Sequence, residues 1–337
     1  MSEKNIRKKD PYIDAAKGLA IVLVVIGHTI QYSYQGDNAF FDNIVFRWIY
    51  SFHMPLFMII SGYLFGGKAR TDFDFGVLAA NRAKRCLVPV LSWTLLMSLY
   101  HGWIPTSLSD IRLFAEQLLL SYWFLWAVFF CSLAAGIVCK YAKEKYWITA
   151  FTAVIIISLI TPDAYNFDCH KFMFPCFAAG ILVRDSDIVR KVESKTAAVV
   201  AGGILYIGLF MMYRGNAFIY IGGWTLLNAD NVLSVLLYDI YRVVIGVVGS
   251  GLVLFLISKA PKRLNSMLGH FGTASTGIYI ISILAGSILM QKLAGIGSRE
   301  LSVVIGSILT LAASYVISAI LAKNKLTGML FLGNKIR

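Results

Sequence analysis

The sequence predicts an all-α protein: a polytopic transmembrane bundle of about ten spans, both termini cytoplasmic. Three observations lead there. The 337 residues are 58% hydrophobic and only 15% charged, where a soluble domain carries about 25% charged residues. The mean hydropathy is +0.70. Apolar runs close to the ~20 residues that cross a bilayer recur along the chain, and Lys and Arg gather in alternate connections between them.

The first run, about residues 13–33, contains "DAAKGLAIVLVVIGHTI" and follows the basic "MSEKNIRKKD". No small-residue cleavage site follows, so it reads as an uncleaved signal anchor that is also the first span. The second, about 46–66, reads "FRWIYSFHMPLFMIISGYLFGG". Pro55 is expected to disturb the helix and free carbonyls near His53, and Ser61-Gly62 to admit a neighbouring helix. The third run, about 86–104, follows "NRAKRCLVP", and the fourth, about 118–139, holds "YWFLWAVFF". The fifth and sixth, about 146–161 and 171–183, are short, and the sixth contains Pro175. The last four are about 196–213, 233–258, 267–291 and 301–322. Connections are short, the longest being 67–85 and 214–232, so residues 1–337 read as one membrane-embedded domain.

With the N-terminus inside, 23 of the 31 Lys and Arg residues fall in inside segments and 6 outside. Lys17 and Arg242 lie within spans. Acidic residues split evenly, and they matter little to orientation. The net charge of +13 thus has a topological explanation, which excludes a nucleic-acid partner. The five cysteines show no CxxC spacing and read as buried small hydrophobes rather than as a disulfide or a metal site.

Charges inside lipid cost several kcal/mol, so Asp14, Lys17 and His28 are expected to face protein. The eleven steps from Lys17 to His28 turn a helix about 1100°, which puts both on one stripe roughly 16 Å apart. Asp14 lies within pairing reach of Lys17. Lys17 either snorkels to the interface or works in a site. His28 either bridges helices by hydrogen bonds or exchanges protons near neutral pH. His53 falls at a similar depth, both rings roughly 8–10 Å below the outer face.

Arg82 and Arg85 share a helix face, and Lys84 adds a third charge. They are either positive-inside residues or a clamp for a donor's phosphates. Asp239 and Arg242, three apart in the eighth span, form either an intrahelical ion pair or a polar wall of an acceptor pocket. Trp123, Trp126, Tyr220 and Trp224 are interfacial anchors or platforms for sugar rings.

Together, "YIDAAKGLAIVLVVIGHT", "SFHMPLFMIISGYLF", the Arg-x-x-Arg of "RAKR", "YWFLWAVFF" and "GTASTGIYIIS" resemble the acyltransferase-3 family, in its short fucose-O-acetylase-like branch. The resemblance implies an integral membrane enzyme moving an acyl group, usually acetyl, from cytoplasmic acyl-CoA to a glycan hydroxyl at the outer side. It makes His28 the catalytic histidine and Lys17 its basic partner, where many members carry Arg. Arg82 and Arg85 become the pair on the acyl-CoA side, with Lys84 beside them. The late motif often ends in His where this chain has Ser282, so that role is absent here or falls to another residue such as His270.

The expected function is therefore an acetyl-CoA-dependent sugar O-acetyltransferase of the bacterial cytoplasmic membrane, without a metal. It would modify a cell-surface or secreted polysaccharide or its lipid-linked precursor. His28 would act as general base, and His53 would orient it or donate to the oxyanion. Asp14, Trp123, Asp239 and Arg242 are the expected substrate-binding residues. The competing class is an exporter of a small anion or acylated metabolite. Transporters often show paired internal repeats, and "KGLAIVLVVIGH" and "HMPLFMIISG" have no second-half partners.

Overall fold

The computed structural model describes residues 10–103, 106–184, 196–227 and 229–334. Among them are fifteen α-helices and no strand, the fold class that the sequence predicts. The basic residues Lys4, Arg7, Lys8, Lys9, Arg190, Lys191, Lys195, Lys335 and Arg337 lie outside the described residues.

The first helix, α1 (Pro11–Ser33), organises the packing. Asp10 caps it by accepting from the Tyr12 amide at 3.0 Å, and Pro11 takes the first position, where its missing N–H costs nothing. A break follows the next short helix. α2 (Ile44–Tyr50) stops, Phe52 leaves helical geometry at φ −145°, and α3 (His53–Ala69) begins. Pro55 stands in the first turn of α3, where no amide partner is lost. The disturbance expected at Pro55 is thus a complete break three residues earlier. The Ser51 hydroxyl secures it, 2.7 Å from the Tyr206 hydroxyl and 2.8 Å from the Trp48 carbonyl.

α4 (Phe75–Tyr100) starts eleven residues before the apolar run, because Asp74 caps it by accepting from the Val77 amide at 2.7 Å. Arg82, Lys84 and Arg85 therefore stand inside a helix rather than at its threshold. The fourth run is divided between α5 (Leu108–Leu120) and α6 (Trp123–Tyr141), with Tyr122 left-handed at φ 52° between them. Then come α7 (Trp147–Leu159), α8 (Phe167–Val183), α9 (Thr196–Met211) and the single turn α10 (Ile219–Gly222). α11 (Val232–Lys259) matches the eighth run. The ninth is split at Ala274 into α12 (Lys262–Thr273) and α13 (Ser275–Leu293), and α14 (Arg299–Leu321) and α15 (Lys325–Leu332) complete the chain.

Six of these bodies are long and apolar enough to cross a membrane: α1, α2 with α3, α6, α11, α13 and α14. α7, α8 and α9 are apolar but shorter, and α4 is long with a basic first half.

α1 packs against α3, α12, α13 and α14. Two reciprocal glycine pairs set the tightest contacts. A Cβ at Gly18 would overlap the Leu268 carbonyl, and one at Gly272 the Asp14 carbonyl, so α1 and α12 touch backbone to backbone. Gly62 and Gly180 do the same for α3 and α8, as expected of Ser61-Gly62. All five cysteines are free and buried.

Candidate functional site

Where α1, the α2–α3 break, the start of α6 and the middle of α13 meet, the helices enclose a chamber of about 640 Å³. His28 and His53 both line it, with Tyr32, Tyr50, Tyr122, Trp123, Tyr220 and Tyr279. The two imidazoles are prepared differently. His53 Nδ1 lies 2.8 Å from the Ile49 carbonyl oxygen. A carbonyl only accepts, so the neutral ring carries its proton on Nδ1 and keeps a lone pair on Nε2. The same carbonyl also accepts from the Phe52 amide at 3.3 Å, so it is shared between the end of α2 and the His53 ring. The Nδ1 of His28 is buried and has no hydrogen-bond partner among the described residues. Tyr32, one turn after His28, has its ring centroid 6.1 Å from the imidazole, and Tyr50 has its own 4.7 Å from that of His53.

A second, narrower cavity of about 190 Å³ runs toward the basic end of the bundle. Lys17, Arg82 and Arg85 line it, together with Ser61, Cys86 and Ser275. Val24, Met54 and Tyr279 line both this neck and the histidine chamber. These three side chains place the cavity bordered by Lys17, Arg82 and Arg85 directly beside the chamber of His28 and His53. Asp14 stands behind Lys17, 3.5 Å from its Nζ, and is not among the lining residues. Lys84 is exposed and likewise not among them.

A third recess, of about 420 Å³, opens at the far end of α4. Its walls carry Thr94, Ser98, His101, Trp103 and Gln117, and it shares Ser121, Tyr122 and Ile283 with the chamber. Arg85 and Ser98 are thirteen residues apart on α4, or roughly 20 Å, so neck and recess approach the histidines from opposite ends.

Asp239 and Arg242 are not among the residues lining the chamber. They are buried as an ion pair at 2.5 Å. The guanidinium also donates to the carbonyls of Asn216 at 2.5 Å, Ala217 at 3.2 Å and Gly223 at 2.6 Å. Asp163 accepts from the Trp224 amide at 2.7 Å and pairs with Lys171 at 2.6 Å. These groups fasten the segment between α9 and α11, which presents Tyr220 and Ile221 to the chamber. Trp224 is buried, its indole donating to the Ser158 hydroxyl at 3.0 Å, so its ring is part of that fastening. Trp123 does line the chamber, edge-on to Tyr220 with centroids 6.1 Å apart.

The Ser282 hydroxyl is buried against the Tyr279 carbonyl at 3.0 Å. Neither Ser282 nor His270 is among the residues lining the chamber, the neck or the recess. Sequence reasoning singled out Tyr220 but missed Tyr32, Tyr50, Tyr122 and Tyr279. Tyr32 follows His28 by one helical turn, and Tyr279 sits inside "GTASTGIYIIS", signals that could have found both. Among the described residues, no three His, Cys, Asp or Glu side chains group as a metal site.

The acyltransferase domain family matches residues 10–322, nearly the whole chain. The nodulation protein NolL of Mesorhizobium japonicum is 39% identical over 180 residues, covering 49% of this chain and 48% of the relative. NolL of Sinorhizobium fredii is 34% identical over 183 residues, 52% of this chain and 48% of the relative. The chain thus spans about half the length of the curated relatives it matches. No solved structure matches it. With a family match of that extent over a bundle of apolar helices, the chain belongs to the acyltransferase-3 family.

Proposed function

We propose that the protein is a sugar O-acetyltransferase that takes acetyl from cytoplasmic acetyl-CoA and delivers it to a glycan hydroxyl on the outer side of a bacterial cytoplasmic membrane. In this reading the chain crosses about ten times, with both termini inside. The observation that supports it is that Val24, Met54 and Tyr279 line both the cavity bordered by basic residues and the chamber with two histidines.

The chemistry follows from those groups. Lys17, Arg82 and Arg85 suit anionic phosphates. The donor's thin, modestly polar arm lies along the neck and carries the thioester to the chamber. The acceptor approaches through the recess beside Trp103, whose aromatic face suits a sugar ring. His28 takes the proton of the acceptor hydroxyl as its oxygen attacks the thioester carbonyl carbon. The C–O bond forms, the C–S bond breaks, and the thiolate leaves with a proton. Proton removal of this kind contributes about 10²–10⁴-fold. His53 Nε2, with its lone pair, holds either the acceptor hydroxyl or the His28 ring. A chamber hydroxyl such as that of Tyr279 faces the developing oxyanion.

The test is thiol release from acetyl-CoA by purified protein in detergent, with water as default acceptor, and ester analysis of the surface glycan by NMR. Loss of both in His28→Ala, with the variant still monodisperse, supports the reading. Activity equal to wild type in His28→Ala removes it. Accumulation of a small anion in proteoliposomes without acyl transfer would favour an exporter instead.

A further inference from the structure

A cavity outside the three described so far lies at the end of the chain. It measures about 550 Å³, within the roughly 300–1,000 Å³ of small-molecule sites. Arg85, Asn324, Lys325 and Asn334 supply its polar walls, and Arg85 and Thr276 line both it and the neck. Its outer wall is α15, and α15 is fixed. Gly333, at φ 66°, reverses the chain so close to α4 that a Cβ would overlap the Arg85 carbonyl. The Trp93 indole donates to the Phe331 carbonyl at 2.9 Å, and their rings meet edge-on at 5.5 Å. The Asn324 side chain starts the helix by accepting from the Leu326 amide at 2.8 Å, and the Asn334 amide closes it on the Gly328 carbonyl at 2.9 Å.

We infer that this recess is the seat of the donor's nucleotide, with Lys325, Asn324 and Asn334 binding a phosphorylated adenosine while its thioester arm enters the neck past Arg85 and Thr276. The inference rests on the acyl-CoA reading and extends it to residues that neither the basic pair nor the first helix supplies. The chemistry fits. Lys325 offers a cation and Arg85 a planar fork, which phosphate oxygens accept from together. The Asn324 carboxamide, whose oxygen caps α15, offers its N–H donors, and that of Asn334 both a donor and an acceptor, to the mixed edge of a purine.

The decisive comparison uses two donors: acetyl-CoA, and acetyl-pantetheine, which has the same thioester arm and no nucleotide. Lys325→Ala and Asn334→Ala are expected to raise KM for acetyl-CoA about tenfold, the worth of one charge-assisted hydrogen bond. KM for acetyl-pantetheine should not move, and kcat should hold for both. Adenosine 3′,5′-bisphosphate should compete with acetyl-CoA in wild type and lose affinity in Lys325→Ala. Lys325→Arg should restore most of it, which separates charge from folding. Equal effects on both donors, or none on either, overturn the inference while His28-dependent thiol release leaves the acyltransfer reading intact. Absence of thiol release from both donors in wild type removes the reading and the inference together.

Discussion

His53 Nδ1 and the carbonyl oxygen of Ile49 stand 2.8 Å apart across the break between α2 and α3. This contact fixes the tautomer of one of the two chamber histidines, and it makes a prediction that distinguishes chemistry from packing. His53→Asn keeps a donor that can reach Ile49 but has no ring lone pair, whereas His53→Ala loses both. If Nε2 takes part in transfer, both variants fall about 10²-fold or more in kcat. A merely structural histidine would leave the Asn variant near wild type. Thiol-release rates decide between them.

The neck can be blocked without touching a charged or catalytic group. Val24 is 2% exposed and borders both cavities. Val24→Phe adds bulk where the passage is shared, at an overpacking cost of about 1–3 kcal/mol. Acetyl-CoA turnover should drop at least tenfold, while Val24→Ala should retain it. Steady-state rates normalised to the monodisperse fraction measure this. Full activity in the Phe variant would mean that the donor does not pass here.

Among the clustered cations the structure separates those that line the neck from one that does not. Arg82 and Arg85 line the neck and Lys84 is exposed away from it. Arg82→Ala and Arg85→Ala should each raise KM for acetyl-CoA about tenfold or more, as expected for lost charged hydrogen bonds. Lys84→Ala should change it less than twofold, within the range of surface charges. Titration with acetyl-CoA at low and high salt reads all three.

The Arg242–Asp239 pair predicts a stability phenotype. Arg242→Ala leaves a buried carboxylate and three carbonyls without their donor, a loss of about 3–5 kcal/mol. The double variant Asp239→Asn, Arg242→Met should be closer to wild type than Arg242→Ala, because no uncompensated charge remains. Thermal midpoints in detergent order the three. The single variant should also lose turnover, since Tyr220 and Ile221 sit on the segment that the guanidinium holds.

Much of this was legible in the sequence, for identifiable reasons. Hydropathy located the helical bodies, because lipid demands long apolar runs with internally paired backbones. The shared stripe of Lys17 and His28 follows from helical periodicity alone, and both face the adjoining cavities. Helix ends were less legible. The apolar run begins near residue 86, but α4 starts eleven residues earlier at its Asp74 cap, and a cap depends on one side chain rather than on average composition. The breaks at Phe52 and Tyr122 lie inside uniformly apolar stretches, where hydropathy has no contrast. Asp239 and Arg242 form the intrahelical pair that was one of two readings of their spacing, and, expected as substrate-binding residues, they are not among those lining the chamber. Their three backbone partners are 19 to 26 residues away in the chain, and no local pattern reveals contacts of that span.

The cavity beside the basic residues has about 190 Å³ against the 640 Å³ of the histidine chamber it adjoins. On the proposed route the acyl group goes through first, ahead of its sulfur. A two-carbon group threads there, whereas a long or branched one meets Val24 and Met54 before it nears either imidazole. Chain-length choice is then exercised by a sieve upstream of the reaction, and enlarging the chamber alone would not broaden it.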